Sequence, residues 1–225
     1  MENLIKFKKP KVLFFDINET ILDLTLLKVE INNLLGQDVF DLWFTRLLHQ
    51  SLVFTITERF ESFTQIAIRT LKQVSAIKEI NLTDDMLVKF SDKLSLLPPY
   101  PDVVNSLEIF KQKEYIIVAL SNSSKSLLER QLKNAKIDHF FNKQISVELF
   151  SKYKPHKQVY HECTKLLSTK AEDCMLIAAH DWDIFGALCS GLRAAFVKRA
   201  GKDTYFFSIE PELKVDNLFS LAHKL

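Results

Sequence analysis

The stretch FFDINETILD, Phe14 to Asp23, begins as an apolar run and ends as a polar loop. Asp16 stands where the two meet, at the carboxyl end of a strand read over Lys11–Ile17, KVLFFDI. A carboxylate is costly to bury unless something pairs with it or uses it. Asn18 follows two residues later and Thr20 four residues later, so the loop carries further polar groups close to that carboxylate. Taken alone, an Asp at a strand end also fits a simple cap on the next helix, and Thr20 also fits a turn. The choice rests on what the rest of the chain delivers.

Moving outward, short apolar runs alternate with helical patterns. Tyr115–Leu120 (YIIVAL), Cys174–Ala179 (CMLIAA) and Ala194–Val197 read as strands, with Ile145–Val147 as a shorter candidate. Helical periodicity lies between them, over Val103–Lys113, Ser124–Ala135, Lys157–Leu167 and Asp183–Leu188. Fully apolar strands alternating with amphipathic helices imply a parallel sheet covered on both faces, a doubly wound, Rossmann-like α/β core. The stretch from Thr25 to Leu97 differs, because Trp43, Leu47, Ser51 and Phe54, then Phe60, Phe63, Ala67 and Leu71, recur at helical spacing. It reads as an insert of about four helices, closed by the stiff connector Pro98-Pro99-Tyr100-Pro101. The expected division is a core of 1–23 with 98–225 and a helical cap of 24–97. The tail from Val215 to Leu225 reads as a packing helix.

Composition narrows the function. A net charge of +2 gives no field for nucleic acid or a membrane surface. No apolar stretch is long enough to span a bilayer, and the early apolar run holds an Asp, unlike a signal peptide. Cys163, Cys174 and Cys189 lack metal-ligand spacing and read as free thiols of a cytoplasmic protein. Four glycines exclude a Gly-rich phosphate loop as the main device.

In open α/β sheets ligands bind beyond the carboxyl ends of the strands. Those ends deliver Asp16, Asn18 and Thr20; then Ser121 and Asn122; then Lys152 and Lys154 ahead of Pro155; then His180, Asp181 and Asp183. Lys152 reads as a solvated charge, whereas Lys154, before a proline, has the extended backbone of a reaching side chain. In order, FDINETILD, LSNSS, YKPHKQVY and AAHDWDIFGALCSGLRAAFVKR resemble the four motifs of the haloacid dehalogenase superfamily, and more narrowly its type II, L-2-haloacid dehalogenase branch.

The resemblance implies a catalytic set of Asp16 as nucleophile, Lys154 holding it ionised and Asp183 beside Lys154. His180, on the loop after a strand and with an ordinary pKa of about 6.5, suits the base toward water in the second half-reaction. Substrate contacts are expected from Asn18, Thr20, Phe44, Ser121, Asn122, Tyr160 and Trp182, with no metal and no cofactor. Phosphatases of the superfamily carry an acid two residues after the nucleophile to protonate a poor leaving group. Asn18 cannot do this, and a halide does not need it. The type II branch has Asn where His180 stands, and places an Arg after the cap Trp where this chain has Phe44, with Arg46 two residues on and turned to another helix face. The implied reaction is conversion of a short L-2-haloacid to the D-2-hydroxyacid through an aspartyl ester, in a protein that works alone or as a homodimer. A Mg²⁺-dependent phosphatase and a non-catalytic ligand-binding relative are the competing readings.

Overall fold

The computed structural model describes residues 8–36, 38–202 and 209–225. Residues 1–7 and 203–208 of the expected core and Gln37 of the expected cap lie outside the described residues. The elements run β1 (Val12–Phe15), α1 (Thr25–Leu35), α2 (Val39–Ile56), α3 (Phe63–Ile77), α4 (Asp84–Ser95), α5 (Val103–Gln112), β2 (Ile116–Ser121), α6 (Lys125–Asn134), β3 (Lys143–Ser146), α7 (Lys157–Leu166), β4 (Cys174–Ala178), α8 (Asp181–Cys189), β5 (Arg193–Val197), β6 (Leu213–Val215) and α9 (Leu218–Lys224).

The strands form one sheet in the order β3-β2-β1-β4-β5-β6, with every pairing parallel. β1 (VLFF) and β4 (CMLIA) are buried at every residue, which is why they read as unbroken apolar runs rather than alternating ones. The winding reverses at β1, with β2 and β3 on one side and β4 to β6 on the other. A crevice therefore opens beyond the carboxyl ends of β1 and β4, at the switch point of the sheet.

The sixth strand corrects the sequence reading of the tail. Leu213–Val215 pairs with β5, Val215 belongs to it, and the helix starts only at Leu218. A three-residue edge strand with a solvent-facing Lys214 has too little apolar pattern to announce itself.

Four helices, α1 to α4, lie between β1 and α5. α3 buries Phe63, Ile66, Ala67, Thr70, Leu71 and Val74, a single stripe at i, i+3, i+4 and i+7. Ser62 and Thr83 cap α3 and α4 by accepting from the backbone N–H three residues on. Trp43 of α2 is 1% exposed and donates its indole N–H to the Ala67 carbonyl at 2.9 Å, fastening α2 to α3. The two connectors run side by side: Leu22 bridges Pro99, Asp23 N–H donates to the Pro98 carbonyl, and Tyr100 N–H donates to the Ile21 carbonyl.

Hydrogen bonds at the ends of α4 and α2 hold this insert against the sheet domain. Gln131 and Asn134 of α6 donate to the Leu94 and Ser95 carbonyls at the end of α4, at 2.8 and 2.9 Å. Lys152, read as a solvated charge, instead donates its ammonium to the Thr55 carbonyl at the end of α2, 3.1 Å away. Beside it, Tyr153 N–H donates to Thr55 Oγ1 at 3.0 Å, which pins the segment leading into Lys154. That helix end leaves carbonyls without intrahelical donors, and Lys152 and Tyr153 approach at that point.

Candidate active site

The β1 strand ends at Phe15, and the Asp16 N–H still donates to the Ile177 carbonyl of β4 at 3.0 Å. The Asp16 side chain therefore projects from the rigid centre of the sheet rather than from a mobile loop. After it the chain folds back on itself: Ile21 and Leu22 N–H both donate to the Ile17 carbonyl, and Glu19 takes a left-handed φ of 59°. That turn brings Thr20 back to Asp16, where Thr20 Oγ1 donates to Oδ2 at 2.8 Å and accepts from Ala179 N–H at 2.9 Å. Arg199 locks the same turn, donating twice to the Thr20 carbonyl and pairing with Asp102 at 2.9 Å.

Lys154 enters from the segment before α7, its backbone N–H held by Asn122 Oδ1 at 3.0 Å. Its ammonium is 2% exposed and spends its donors on Asp16 Oδ1 at 2.8 Å, Asp183 Oδ2 at 2.6 Å and the Leu120 carbonyl at 3.2 Å. Gly186 in α8 lets this segment come close, because a Cβ there would sit 2.3 Å from Pro155 Cβ and 2.8 Å from the Tyr160 hydroxyl.

Tyr160, expected among the substrate contacts, stands behind the site instead. It is fully buried on the inner face of α7 and donates to Asp183 Oδ1 at 2.5 Å. It orients the carboxylate that in turn holds Lys154.

Charge in this cluster follows from burial set against pairing. Burial pushes the Asp16 carboxyl upward, but the adjacent Lys154 charge and the His180 hydrogen bond and charge outweigh it, so Asp16 lies well below the usual carboxylate range. Asp183 is pushed the other way, upward, by burial and by the charge of Asp16, against the pull of Lys154. Burial disfavours the Lys154 ammonium, yet Asp16 and Asp183 raise it and keep it charged. Thus the carboxylate facing the crevice, Asp16, is ionised.

His180 caps the start of α8 and lies between two carboxylates. Nδ1 is 2.9 Å from Asp16 Oδ2, and Nε2 is 2.9 Å from Glu19 Oε2. Burial opposes its charged form, but the hydrogen bonds to Asp16 and Glu19 and then their charges prevail, raising its pKa to about 9. Resting His180 is therefore an imidazolium, which donates from both nitrogens. Glu19 also pairs with Lys202 at 2.6 Å.

The crevice is lined from the sheet side by Asp16, Asn18, Ser121, Asn122, His180 and Trp182. From the insert come Phe44 and Leu48 of α2 and Phe63 of α3, and Arg46 is not among the lining residues. The free space is about 20 Å³, room for little more than one water, so the site takes a small ligand. Asn18 donates from Nδ2 to Ser123 Oγ at 3.0 Å and accepts from Gln131 at 3.2 Å. Trp182 packs its ring 5.1 Å from His180, and the Lys154 ammonium lies 5.9 Å from its centre. Trp43 and Phe60 pack away from the crevice, Trp43 on Phe90 and Phe60 on Tyr153.

Glu19, Lys202, Leu48 and Gln131 belong to the site and escaped the sequence reading. Glu19 had a signal, since it is a second acid inside the opening stretch with a His expected nearby. Lys202 and Gln131 had none, being brought in by tertiary packing from far along the chain. Both oxygens of Asp16 and both of Asp183 already accept from Thr20, His180, Lys154 or Tyr160. Among the described residues, no group of three or more His, Cys, Asp or Glu side chains is arranged to hold a metal ion.

A parallel α/β sheet that gathers a buried Asp–Lys–Asp cluster at its switch point is the framework of a hydrolytic enzyme. The profile of the haloacid dehalogenase-like hydrolases matches residues 13–197, and the chain belongs to that family. It is 20% identical over 188 residues to haloacetate dehalogenase H-2 of Moraxella sp. strain B, covering 84% of each chain. It is 27% identical over 165 residues to (S)-2-haloacid dehalogenase 4A of Burkholderia cepacia, covering 71% of this chain and 69% of that one. Its fold matches L-2-haloacid dehalogenase of Xanthobacter autotrophicus with chloropropionic acid covalently bound, with a TM-score of 0.87, 19% identity and coverage of 95% of this chain and 97% of that one. Among the described residues, no helix is long and apolar enough to cross a membrane.

Proposed function

We propose that the protein hydrolyses the carbon–halogen bond of short L-2-haloacids and releases D-2-hydroxyacids through an ester on Asp16. The observation that carries this reading is an ionised Asp16, gripped by Lys154, facing a small crevice walled by Phe44, Leu48 and Phe63, with an amide rather than an acid at Asn18. An Asp16 oxygen attacks C2 from the side opposite the halogen; the C–O bond forms as the C–halogen bond breaks, and the halide leaves with the electron pair. Configuration at C2 inverts. Water then adds to the Asp16 ester carbonyl, not to C2, and the alcohol departs with the original Asp16 oxygen. Ser121 and Asn122, which line the crevice beside Asp16, receive the substrate carboxylate in this reading. Asn18, with one of its two amide hydrogens committed to Ser123, has the other for the departing halide.

In this reading residues 24–97 act as a cap over a core made of 1–23 and 98–225, and their apolar wall excludes water during displacement. His180 is the base for the second step. Once Asp16 is esterified its charge is gone, and with it the first support for the His180 imidazolium, so the ring loses a proton when a base is needed. No metal ion takes part, which fits carboxylate oxygens already committed to Lys154, Thr20, His180 and Tyr160. Unpaired thiols at Cys163, Cys174 and Cys189 fit a reducing, cytoplasmic setting.

The test is a single turnover with excess enzyme, L-2-chloropropionate and heavy-oxygen water, followed by mass spectrometry of the peptide holding Asp16. Heavy oxygen should enter Asp16 in the first turnover and reach the product only in later ones, with D-2-chloropropionate inert and EDTA without effect. Direct labelling of the product, or recovery of activity only on adding Mg²⁺, overturns the reading.

A further inference from the structure

We propose that Arg199 is a positioning residue for the displacement step: through the Thr20 carbonyl it holds the hydroxyl that aims Asp16, and it ties that turn to the connector on which the helical insert hangs. This rests on the haloacid reading above and concerns only its first step.

The run AAFVKR closes the last of the four motifs, and its final residue takes no part in the steps above. β5 ends at Val197, so Arg199 stands just beyond a strand at the carboxyl edge of the sheet, as Asp16 and His180 do. It is 8% exposed and is not among the residues lining the crevice. It reaches the chemistry through two links. Nε and Nη2 donate to the Thr20 carbonyl at 3.1 and 2.9 Å, and Thr20 Oγ1 donates to Asp16 Oδ2 at 2.8 Å. Lys154 donates to the other oxygen, Oδ1, at 2.8 Å, so Thr20 and Lys154, with His180, set the plane of the nucleophilic carboxylate.

The rest of the guanidinium faces the second connector of the insert. Nη1 donates to both oxygens of Asp102 at 2.9 Å, and Cζ lies 4.1 Å from the centre of the Tyr100 ring. Asp102 also accepts from Leu218 N–H at the start of α9, at 2.6 Å. Tyr100 N–H in turn donates to the carbonyl of Ile21, the residue after Thr20. One planar group thus spans the turn that leaves β1 and the connector that enters α5, the two segments between which α1 to α4 are inserted. A guanidinium can do this because its donors form a rigid fork, whereas an ammonium is a point charge.

Stability alone does not call for this group. A buried ion pair loses solvation and is often matched by apolar side chains of similar volume. What the guanidinium supplies, and an apolar side chain lacks, is a fixed place for the Thr20 carbonyl. In the displacement an Asp16 oxygen must approach C2 to about 3–3.5 Å, in line with the departing halide, and a misplacement of about 1 Å costs on the order of 100-fold. Once the C–O bond has formed, the ester itself holds Asp16, and the second step leans far less on Thr20.

Arg199→Lys keeps a cation beside Asp102 and gives up the fork. Quench-flow mass spectrometry with L-2-chloropropionate reads ester formation and ester hydrolysis separately in wild type, R199K, Thr20→Val and the double variant. Expected in R199K is ester formation about 10- to 100-fold slower, with the half-saturating substrate concentration of that step within about threefold of wild type and ester hydrolysis nearly unchanged. Because Arg199 acts through Thr20, adding R199K to Thr20→Val should cost little more than Thr20→Val alone, far short of the product of the two losses. Arg199→Met puts an apolar side chain in place of the ion pair and should slow the same step at least as much; either replacement decides the matter if circular dichroism shows the other unfolded. Ester formation at the wild-type rate, equal slowing of both steps, or losses that multiply in the double variant overturn the role of Arg199 and leave it a prop of the fold. Failure of the wild type to form any ester overturns the haloacid reading instead.

Discussion

His180 meets carboxylates at both ring nitrogens, and the pH dependence of stability follows from that pairing. In the unfolded chain its ordinary value is 6.5, and in the folded protein it is raised to about 9. A raised histidine stabilises fully below the lower value and loses that stabilisation as pH climbs through the upper one. The thermal midpoint should therefore fall between about pH 6.5 and pH 9 in wild type, and fall much less in His180→Asn, measured by circular dichroism from pH 6 to 10. Parallel curves for the two proteins would show that the ring is not held as an imidazolium. Asp16 works on the other limb: its depressed carboxyl stabilises above the ordinary carboxylate range and ceases to do so only as strong acid protonates it. The sequence pointed to Asp16, Lys154, Asp183 and His180 because each follows a strand or precedes a helix at the carboxyl edge of the sheet. It did not reveal that Tyr160 serves Asp183 or that Glu19 serves His180, since those contacts depend on how α7 packs on α8 and how one turn twists back.

α2 shows how register alone decides what an element offers. Trp43 and Leu47 lie on its buried face, while Phe44 and Leu48, each one residue further on, line the crevice. Arg46 falls on neither set. Replacing Phe44 by Ala should raise KM and lower kcat together for L-2-chloropropionate, on the order of tenfold each for a lost apolar wall, whereas Arg46→Ala should change both by less than about twofold. Steady-state kinetics of the two variants decide it, and a crippled Arg46→Ala would move the halide contact to that side chain. The strands were legible as elements because burial on both faces leaves nothing but apolar residues in β1 and β4. The insert helices were legible from their apolar stripes. Phe44 was expected among the substrate contacts, and Phe44 rather than Trp43 lines the crevice; Leu48, one turn further on, was not expected there, because only the packing of α2 on α3 sets how far the lining runs. β6 was invisible for want of length, and Lys152 was misread because a lysine that caps a distant helix looks, in sequence, like any exposed charge.

At the scale of the whole molecule, the sheet is assembled from strands far apart in the chain. β1 sits at its centre, yet its partners β2 and β4 begin about 100 and about 160 residues later. Alternating strands and helices marked a doubly wound parallel sheet with its site at the strand carboxyl ends, but the strand order, the switch point and the paired connectors that close the insert were not readable. Those connectors, Leu22 bridged to Pro99, bear on how the centre of the sheet forms. Closing a flexible loop costs entropy that grows with the logarithm of its length. Once α1 to α4 have folded locally and Leu22 meets Pro99, the loop between β1 and β2 shrinks from roughly 100 flexible residues to roughly 27, cutting that cost by about 1 kcal/mol. In refolding followed by pulsed hydrogen exchange, amides of α1 to α4 should gain protection before those of β1 and β2, and the reverse order would remove this role. The helices that roof the crevice would then also be a splint, shortening the search by which the strand bearing Asp16 finds its neighbours.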